Sequence, residues 1–326
     1  MFSLNSTGGE LSGRTDLRVS VVTSAYRSER YLSTFLSNVL EQTRFSDLEL
    51  VVALNDPSEQ ELTTLASYEE RFEGRLRFSA APRETFSASI NRAIALTSAA
   101  AIAIWNVDDI RTPDSLELQL AEIDLGASLV YGDYWVVKSY GSRADPQLVD
   151  TSRYRRNQFF RGMLLGPFMM FSRAVLSEAG PFDEQFQVGA DFDFALRAIR
   201  FGEARRTSGA LGYYLDEGSG LSTNRQGLQP AERVAIQLRY RLFEDVDYLL
   251  LPAALEYDIA NIHVAEDRLP VKDFLGPTTG RKPEREERAV MRGMRRQQLR
   301  SMRRPLERLV TLVRGRGARE GSGGSA

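Results

Sequence analysis

The sequence predicts an α/β fold in which a mostly parallel central sheet is flanked by helices and followed by a C-terminal helical extension. Two observations support this fold. Apolar runs typical of buried strands alternate with amphipathic helical stretches over residues 17–112. Consecutive strand–helix–strand units form right-handed crossovers, which make the sheet parallel and place helices on its faces. The expected architecture is therefore doubly wound and Rossmann-like.

The predicted elements follow one another from residue 17. Strands are predicted at residues 17–23, 48–54, 76–80 and 102–108, and helices at about residues 31–40, 59–72, 86–98 and 192–201. The run from Asn55 to Ser58 is typical of a helix N-terminus and is expected to cap the second helix. Apolar stretches between residues 228 and 255 predict further helices.

The composition excludes several classes of chemistry. The chain has no cysteine, which excludes a disulfide framework, a zinc–thiolate site and a thiol nucleophile. The single histidine, His263, leaves at most one histidine-based centre. Neither a Gly-x-Gly-x-x-Gly nor a Walker A sequence occurs, so neither a dinucleotide site nor a P-loop is indicated. Carboxylates must therefore carry any acid–base chemistry.

Positive charge is concentrated in one tail. Residues 281–320 hold 14 Arg and Lys against 5 Glu, whereas the rest of the chain holds 28 basic and 39 acidic residues. Residues 1–16 are polar and lack the layout of a signal peptide, and no run of about 18 apolar residues occurs. We expect a cytoplasmic protein with a flexible N-terminal tail over residues 1–16.

Hard oxygen ligands stand at the end of the predicted strand at residues 102–108. Asn106, Asp108 and Asp109 come immediately before a turn and a helix start. Ligands bind at the carboxyl ends of strands in open α/β sheets, and carboxylate oxygens suit Mg²⁺ or Mn²⁺. The sequence therefore predicts a divalent cation site here. The alternative is that the two aspartates only begin a solvated turn.

Short motifs occur in a fixed order over residues 17–225. They include Val19–Tyr26, Asn55–Ser58, Asn106–Asp109, Gly180–Glu184 and Gly189–Asp193. In order and spacing these motifs resemble the inverting GT-A fold glycosyltransferases of family 2. The chain lacks the Gln-x-x-Arg-Trp motif of processive synthases, so the resemblance is to the nonprocessive members.

The resemblance implies the activity and the domain organisation. It implies transfer of a sugar from a nucleoside-diphosphate sugar, expected to be a UDP-sugar, to an acceptor hydroxyl with inversion. The implied cofactor is Mn²⁺ or Mg²⁺, and the implied setting is cell-envelope polysaccharide or glycan synthesis with a glycan or lipid-linked acceptor. It also implies a GT-A domain over residues 17–275, with a nucleotide-binding half at 17–112 and an acceptor half at 113–275.

The resemblance also assigns residues to the donor site. It implies that Thr23 and Tyr26 line the nucleotide pocket, and that Asp56 stands where an acidic residue binds the base or the ribose. The loop at residues 212–224 resembles the donor-side lid of the family. No residue of this loop is assigned as the third metal ligand.

The metal-binding motif of the family usually reads Asp-x-Asp-Asp. Here Asn106 replaces the first Asp, Asp108 keeps the metal-ligand position, and Asp109 follows as the second predicted ligand. An amide can accept a hydrogen bond from a ribose hydroxyl or bind a cation weakly, but it brings one negative charge fewer.

Asp191 occupies the position at which the family keeps its catalytic base. In that role a carboxylate deprotonates the acceptor hydroxyl as it attacks the anomeric carbon. Ala190 replaces the glutamate that usually precedes this base. The alternative is that Asp191 is only the N-cap of the helix at residues 192–201. Asp193 and Arg197, one turn apart, are predicted to form a structural pair worth roughly a few tenths of a kcal/mol.

Residues 276–326 are predicted to form a basic helical tail with a flexible end. Because clustered basic residues are attracted to anionic membranes, residues 281–320 are expected to contact such a membrane peripherally or to bind a partner protein. A solvated helix, or one docked on the acidic body, is the alternative. Nucleic acid is not expected, because no aromatic residues interleave the basic ones. A second function stays open: Asn106 and Ala190 are also compatible with a catalytically weak or inactive GT-A-like domain that serves as a binding or scaffold protein.

Overall fold

The computed structural model describes residues 17–151, 165–218 and 228–240, together with Tyr257. The predictions for the N-terminal and C-terminal tails lie outside the described residues. No helix within these ranges is long and apolar enough to cross a membrane.

The chain divides into two compact units. The first comprises Met1–Arg233 with Ile262–Glu266, and the second comprises Val234–Asn261 with Asp267–Ala326. The whole described sheet belongs to the first unit. In the second unit, the described residues are the end of one helix and Tyr257.

Strands and helices alternate in the first part of the sheet. They are β1 (Val19–Ala25), α1 (Glu29–Leu40), β2 (Leu48–Asn55), α2 (Glu59–Tyr68), β3 (Leu76–Ala81), α3 (Phe86–Ala95) and β4 (Ala101–Ile104). Short 3-10 turns at Phe45–Asp47 and Glu70–Phe72 precede β2 and β3. The predicted alternation is confirmed over these residues.

The second part of the sheet contains shorter and less regular elements. They are β5 (Ile110–Arg111), α4 (Ser115–Asp124), β6 (Leu129–Val137), β7 (Gln147–Val149), β8 (Met170–Ser172), α5 (Arg173–Ala179), α6 (Ala190–Phe201), β9 (Ala204–Leu215) and α7 (Leu228–Arg239). The long strands β6 and β9 pair in parallel, with irregular register between Tyr131 and Trp135.

One sheet contains the nine strands of the described residues. Its order is β3-β2-β1-β4-β8-β6-β9-β5, and β7 pairs with β6 outside this path. Strands β1 to β4, β6 and β9 run in one direction, and β5, β7 and β8 run antiparallel to their neighbours. The predicted, mostly parallel sheet is confirmed. The antiparallel strand β8 lies between β4 and β6 and joins the two parts of the sheet.

The central strands β1 and β2 supply much of the core. Every residue of β2 is buried, and so is every residue of β1 except Ser24. Burial on both faces explains why these strands are continuous apolar runs rather than alternating patterns. From α1, the Phe35 ring meets Trp105 edge to face, with ring centroids 5.3 Å apart.

The predicted cap of α2 is confirmed. Ser58 Oγ accepts a hydrogen bond from the Glu61 N–H at 3.2 Å, and Glu61 Oε2 accepts from the Ser58 N–H at 2.9 Å. This reciprocal arrangement is a capping box. The other Glu61 oxygen accepts from the Ser28 N–H at 2.7 Å, so the same carboxylate joins the starts of α1 and α2.

β4 is shorter than predicted. It ends at Ile104, so the predicted strand end at Asp108 is wrong. After Trp105 the chain turns, because the N–H of Asp109 donates to the Asn106 carbonyl at 3.1 Å. A bond from residue i+3 to residue i is typical of a β-turn. The turn takes the intervening residues out of the strand and places them on a loop at the sheet edge.

A buried ion pair ties α6 to the end of α5. Arg197 Nε donates to Asp193 Oδ2 at 2.9 Å, and both side chains are buried. Arg197 also donates to the carbonyls of Ala179, Gly180 and Pro181, the last at 2.8 Å. These contacts agree with the predicted structural role of the pair. The predicted energy of a surface pair does not apply, because removing one partner of a buried pair costs about 3–5 kcal/mol.

We expect Asp193→Ala to lower the free energy of unfolding by about 3–5 kcal/mol, because it leaves the Arg197 guanidinium buried without its carboxylate. Glu203→Ala removes the exposed partner of Arg205 and is the control, which should cost less than about 1 kcal/mol. Urea titrations followed by tryptophan fluorescence measure both variants. If both variants lost the same free energy of unfolding, burial would not make the Asp193–Arg197 pair more stabilising than an exposed pair.

Candidate active site

The carboxyl ends of β1, β2 and β4 meet at one edge of the sheet, and a cleft opens there. Its walls come from the loops after these strands, from β6 and β9, and from the starts of α6 and α7. The cleft has a volume of about 1290 Å³, larger than the roughly 300–1,000 Å³ of ordinary small-ligand sites. It therefore has room for two ligands side by side. Its position is the one at which open α/β sheets bind ligands.

An aromatic ring flanked by guanidinium groups forms the wall after β1. Tyr26 lines the cleft, and the guanidinium carbons of Arg83 and Arg27 lie 4.4 Å and 5.2 Å from its ring centroid. Guanidinium groups stack on aromatic planes and bind phosphate oxygens. This wall therefore favours a planar ligand that carries negative charge. Arg83 lies after β3, where the sequence predicted no functional residue.

Two predicted nucleotide-binding residues lie outside the cleft. Thr23 is buried, and its hydroxyl has no hydrogen-bond partner among the described residues. The next residue, Ser24, faces the cleft, because side chains alternate between the two faces of a strand. Asp56 is exposed in the left-handed region, with φ 50°, and its N–H donates to the Ala81 carbonyl at 2.8 Å. Its neighbour Asn55 lines the cleft instead.

Asn106 and Asp108 face the cleft from the loop after β4, and Asp109 is buried behind them. Asp109 Oδ1 accepts from the Leu215 N–H at 3.1 Å, and Oδ2 accepts from Asn106 Nδ2 at 3.0 Å. The Asp109 carbonyl accepts from the Trp105 indole at 3.0 Å. These bonds hold the loop against the end of β9. Asp108 is therefore the carboxylate presented to a ligand, and Asp109 supports it.

The charges of these two carboxylates oppose each other. Burial raises the pKa of Asp109 well above its ordinary value, and the charge of Asp108 raises it further against the hydrogen bonds from Leu215 and Asn106. Burial is also the main cause of the raised pKa of Asp108, and the charge of Glu217 adds to it. A divalent cation at this place would favour the ionised form of both groups.

The residues present fit a cation with few protein ligands. In the part of the chain that the structure describes, no group of three or more His, Cys, Asp or Glu side chains is arranged to hold a metal ion. Mg²⁺ and Mn²⁺ use one or two carboxylates when phosphate oxygens complete their coordination. Asp108 and Asn106 are the residues of this loop that line the cleft and carry side-chain oxygens.

A buried arginine supports the same loop from within the sheet. Arg111 donates to Ser115 Oγ at 2.8 Å, to Gln119 Oε1 at 2.7 Å and to the Ile104 carbonyl at 2.9 Å. Burial lowers the pKa of Arg111 to about 9, although the charge of Asp109 raises it. Arg111 therefore stays charged at neutral pH and offsets part of the charge of Asp109.

An ion pair joins α1 to the segment after β9 beside Asp108. Arg30 donates to both oxygens of Glu217 at 2.9 Å, and the Tyr140 N–H donates to Glu217 at 3.1 Å. The Arg30 guanidinium also lies 5.2 Å from the ring centroid of Tyr31. Glu217 lines the cleft and is paired there with Arg30.

Asp191 faces the cleft from the first turn of α6. The helix begins at Ala190 after Gly189, and no side chain of its own caps it, so the alternative prediction that Asp191 is the N-cap is wrong. The Gly189 N–H donates to Glu232 Oε2 at 2.7 Å, and the helix starts two residues earlier than predicted. Asp191 Oδ1 accepts from the Phe192 N–H at 2.7 Å. Burial raises the pKa of Asp191 from 3.8 to about 6, and the charge of Glu232 adds to the rise.

Comparison with known proteins identifies the family. Residues 20–180 match the model of glycosyl transferase family 2. The chain belongs to this glycosyltransferase family. It is 26% identical over 194 residues to an uncharacterized glycosyltransferase of Methanocaldococcus jannaschii, and 27% identical over 187 residues to an uncharacterized protein of Sinorhizobium fredii. Each match covers 56% of this chain. The match covers 64% of the length of the M. jannaschii protein and 20% of the length of the S. fredii protein.

Solved structures share the fold of this family 2 glycosyltransferase. The chain is similar to S. aureus TarS 1–349 in complex with UDP-GlcNAc, with a TM-score of 0.55 at 17% identity over 73% of this chain and 72% of that one. It is also similar to the mannosyltransferase PcManGT from Pyrobaculum calidifontis in complex with GDP-Man and Mn²⁺, with a TM-score of 0.51 at 15% identity over 73% and 69%. The predicted GT-A fold is confirmed.

We expect Asp191→Asn to be more stable than the wild type at pH 7–8, by an amount on the order of 1–3 kcal/mol. The raised pKa of about 6 means that the folded state binds a proton more tightly than the unfolded state, so ionisation above that pH destabilises the fold. The gain should shrink as pH falls through 6 and vanish near pH 4, where the wild-type carboxyl is protonated.

Melting temperatures measured from pH 4 to 8 test this expectation. Asp114→Asn is the control, because Asp114 is exposed and its side chain makes no capping hydrogen bond to α4. A gain in stability for Asp191→Asn that does not change with pH, or no gain at pH 7, would show that burial of this charge is not costly.

Proposed function

We propose that this family 2 glycosyltransferase transfers a sugar from a nucleoside-diphosphate sugar, expected to be a UDP-sugar, to an acceptor hydroxyl with inversion at the anomeric carbon. The observation that carries the proposal is that Asp108 and Asp191 line one cleft from two different walls. Asp108 stands on the loop after β4, in the same cleft as the aromatic and basic wall, which suits a metal-bound diphosphate. Asp191 lies at a helix start with a pKa of about 6, which suits a general base.

The donor is proposed to bind on the β1 side of the cleft. Tyr26 and Arg83 would hold the nucleotide, because ring and guanidinium planes stack on a base and guanidinium groups bind phosphate. Thr23 and Asp56 are not part of this proposal, because they lie outside the cleft. TarS in complex with UDP-GlcNAc and PcManGT in complex with GDP-Man and Mn²⁺ share the fold, which supports a nucleotide-sugar donor here.

Mn²⁺ or Mg²⁺ is proposed to bind at Asp108. The amide oxygen of Asn106 would be its second protein ligand, since the amide nitrogen already donates to Asp109. Asp109, the other predicted ligand, is proposed to act through its support of these two side chains. When bound, the cation neutralises charge on the departing nucleoside diphosphate.

Asp191 is proposed to be the general base. Its carboxylate would take the proton of the acceptor hydroxyl while the hydroxyl oxygen forms a bond to the anomeric carbon. The bond from that carbon to the diphosphate oxygen breaks on the opposite face, so the configuration inverts. Phe182 and Phe192 are apolar residues that line the cleft with Asp191, and burial raises the pKa of this carboxyl. The resulting pKa of about 6 leaves the base ionised at neutral pH and still able to accept a proton.

The wider role is proposed from the sequence. We expect a glycan or lipid-linked acceptor in cell-envelope polysaccharide or glycan synthesis, and peripheral contact of residues 281–320 with an anionic membrane or a partner protein. These basic residues lie outside the described part of the chain. The competing function is that of a catalytically weak or inactive domain that serves as a binding or scaffold protein. A measurement of sugar-donor turnover distinguishes this function from that of an enzyme.

A donor panel tests the proposed function. UDP-GlcNAc, UDP-glucose and GDP-mannose would be added to the full chain with Mn²⁺ or with EDTA, because a ligand that binds the native state raises its melting temperature. Release of the nucleoside diphosphate measures turnover, and NMR of the first sugar product reports its anomeric configuration. Binding without turnover by the whole panel would favour the scaffold function, and a retained configuration would overturn inversion.

We expect Asp108→Ala to abolish the Mn²⁺-dependent part of donor binding and to leave the fold intact, because the removed carboxylate faces the cleft and its charge is disfavoured by burial. Calorimetric titration of UDP with and without Mn²⁺ measures the effect. Asp124→Ala is the control, because it removes an exposed carboxylate that pairs with Arg18 before β1, away from the cleft. UDP affinity that still depends on Mn²⁺ in Asp108→Ala would place the metal elsewhere.

We expect Asp191→Asn to lower kcat by roughly two to four orders of magnitude, as the loss of a general base does, and to change donor affinity little. The amide keeps the size of the side chain and can still accept from the Phe192 N–H. Steady-state kinetics with the donor chosen from the panel give kcat, and UDP titration gives affinity. Near-normal kcat in this variant would exclude Asp191 as the base.

A further inference from the structure

A buried glutamate on α7 holds the loop that precedes α6. Glu232 is fully buried and accepts from three consecutive backbone N–H groups. Its Oε1 accepts from Gln187 at 2.9 Å, and its Oε2 accepts from Val188 at 2.9 Å and from Gly189 at 2.7 Å. Successive N–H groups that converge in this way form an anion site, and hydrogen bonds to an ionised acceptor are the strong ones.

The same loop forms the wall of the cleft next to Asp191. Gln187, Val188 and Gly189 all line the cleft, and Gly189 is the residue from which α6 starts. A glycine offers no side chain to the free N–H groups at a helix start. Glu232, on another helix, accepts instead from the N–H of Gly189 itself and from the two residues before it. It therefore holds the backbone that leads into α6, and with it the direction in which Asp191 faces.

Neither residue adjacent to Asp191 in the first turn of α6 is acidic. Its neighbours Ala190 and Phe192 are apolar and buried. The next acidic residue, Asp193, is buried in its ion pair with Arg197. The nearest chain neighbours of Asp191 thus bring no charge to its carboxyl, and the charge that acts on it comes from Glu232, outside α6.

We propose that Glu232 is the positioning residue for Asp191: it holds the loop of residues 187–189 so that the Asp191 carboxylate faces the acceptor side of the cleft, and it supplies the negative charge that neither neighbour of Asp191 carries. This inference rests on the proposed role of Asp191 as general base. It extends that role to a residue on a different helix, 41 positions further along the chain.

Charge supports the geometry. Glu232 is the charged group with the largest effect on the pKa of Asp191, and it raises that pKa in addition to burial. The other ionisable side chains that line the cleft are Tyr26, Arg27, Tyr31, Arg83, Glu84, Asp108, Tyr134, Tyr214, Glu217 and Arg233. Loss of the Glu232 charge should therefore move the pKa of Asp191 downward, and with it the acidic limb of the pH profile of kcat.

Glu232→Gln tests the proposal in the full chain. The amide keeps the size of the side chain, removes its charge and turns N–H groups toward backbone donors. We expect the Asp191 pKa, followed by ¹³C NMR of labelled aspartate carboxyls, to fall toward its ordinary value, with the Asp191 signal assigned by its loss in Asp191→Asn. We expect kcat for nucleoside diphosphate release from UDP-GlcNAc or GDP-mannose to fall by about tenfold to a hundredfold with donor KM little changed, because a misplaced base loses its alignment.

Glu49→Gln is the matched control. Glu49 is also buried and accepts from the backbone N–H groups of Ser98 at 2.6 Å and Ala99 at 3.3 Å, but it lies at the amino-terminal edge of the sheet, away from the cleft. This variant should lose stability and leave the Asp191 pKa and the pH profile of kcat unchanged. A shift of the same size in both variants would mean that general loosening of the fold, rather than Glu232, moves Asp191.

Glu232→Asp keeps the charge and shortens the side chain. This variant tests the positioning role of Glu232 if Glu232→Gln does not fold. We expect Glu232→Asp to keep the raised Asp191 pKa and to lower kcat. An unchanged kcat in the variant that folds would overturn the proposal, and so would an unchanged Asp191 pKa in Glu232→Gln. The NMR titration needs no sugar donor. It therefore tests the effect of Glu232 on the Asp191 pKa even if Asp191→Asn is active and Asp191 is not the general base.

Discussion

The buried carboxylate of Asp109 is the interaction on which the geometry of the cleft depends. It joins the loop after β4 to the end of β9, because one oxygen binds the Asn106 amide and the other binds the Leu215 N–H. A buried carboxylate is costly unless it is hydrogen-bonded, and here two donors and the nearby Arg111 charge offset part of the cost of its burial. Asp108 is thus held in place by the contacts of its neighbour, which leaves its own carboxylate open toward the cleft. Asp108, which faces the cleft, and Asp109, which holds the loop, are therefore adjacent in sequence but have different roles.

The cleft also concentrates groups that weaken the fold. Burial raises the pKa of Asp108, Asp109 and Asp191. The ionised form of each carboxyl is therefore less stable in the folded chain than in water. The stability that offsets these costs comes from other parts of the first unit, from the two buried faces of β1 and β2 and from the enclosed pair of Asp193 with Arg197. Such a division is expected where charged groups must be ready for a ligand or a proton.

Much of this arrangement follows from the sequence, and the exceptions have physical reasons. The strands β1 and β2 were predictable because burial on both faces makes them apolar runs, and the cap of α2 was predictable because its residues act locally. The resemblance to the family pointed to the cleft-facing residues Tyr26 and Asp191, and the oxygen ligands after a predicted strand pointed to Asn106 and Asp108. Thr23 was chosen where Ser24 faces the cleft, although strand alternation allows only one of them to do so. Arg111 and Glu232 were missed because a buried charged residue looks like a surface residue until its tertiary partners are known.

The antiparallel strand β8 has a consequence for the order in which the molecule assembles. β2 pairs with β1 and with β3 over short connections, whereas β4 reaches β1 only after residues 26–100 and β8 reaches β4 only after residues 105–169. Loop-closure entropy grows with the length of the intervening chain, so early contacts favour the pairing of β1, β2 and β3. The side of the cleft that holds Tyr26 can therefore exist before the side that holds Asp191 is in place. Pulsed hydrogen exchange during refolding would then find the amides of β1 and β2 protected ahead of those of β8, and a nascent chain would have the Tyr26 side of its cleft before the Asp191 side.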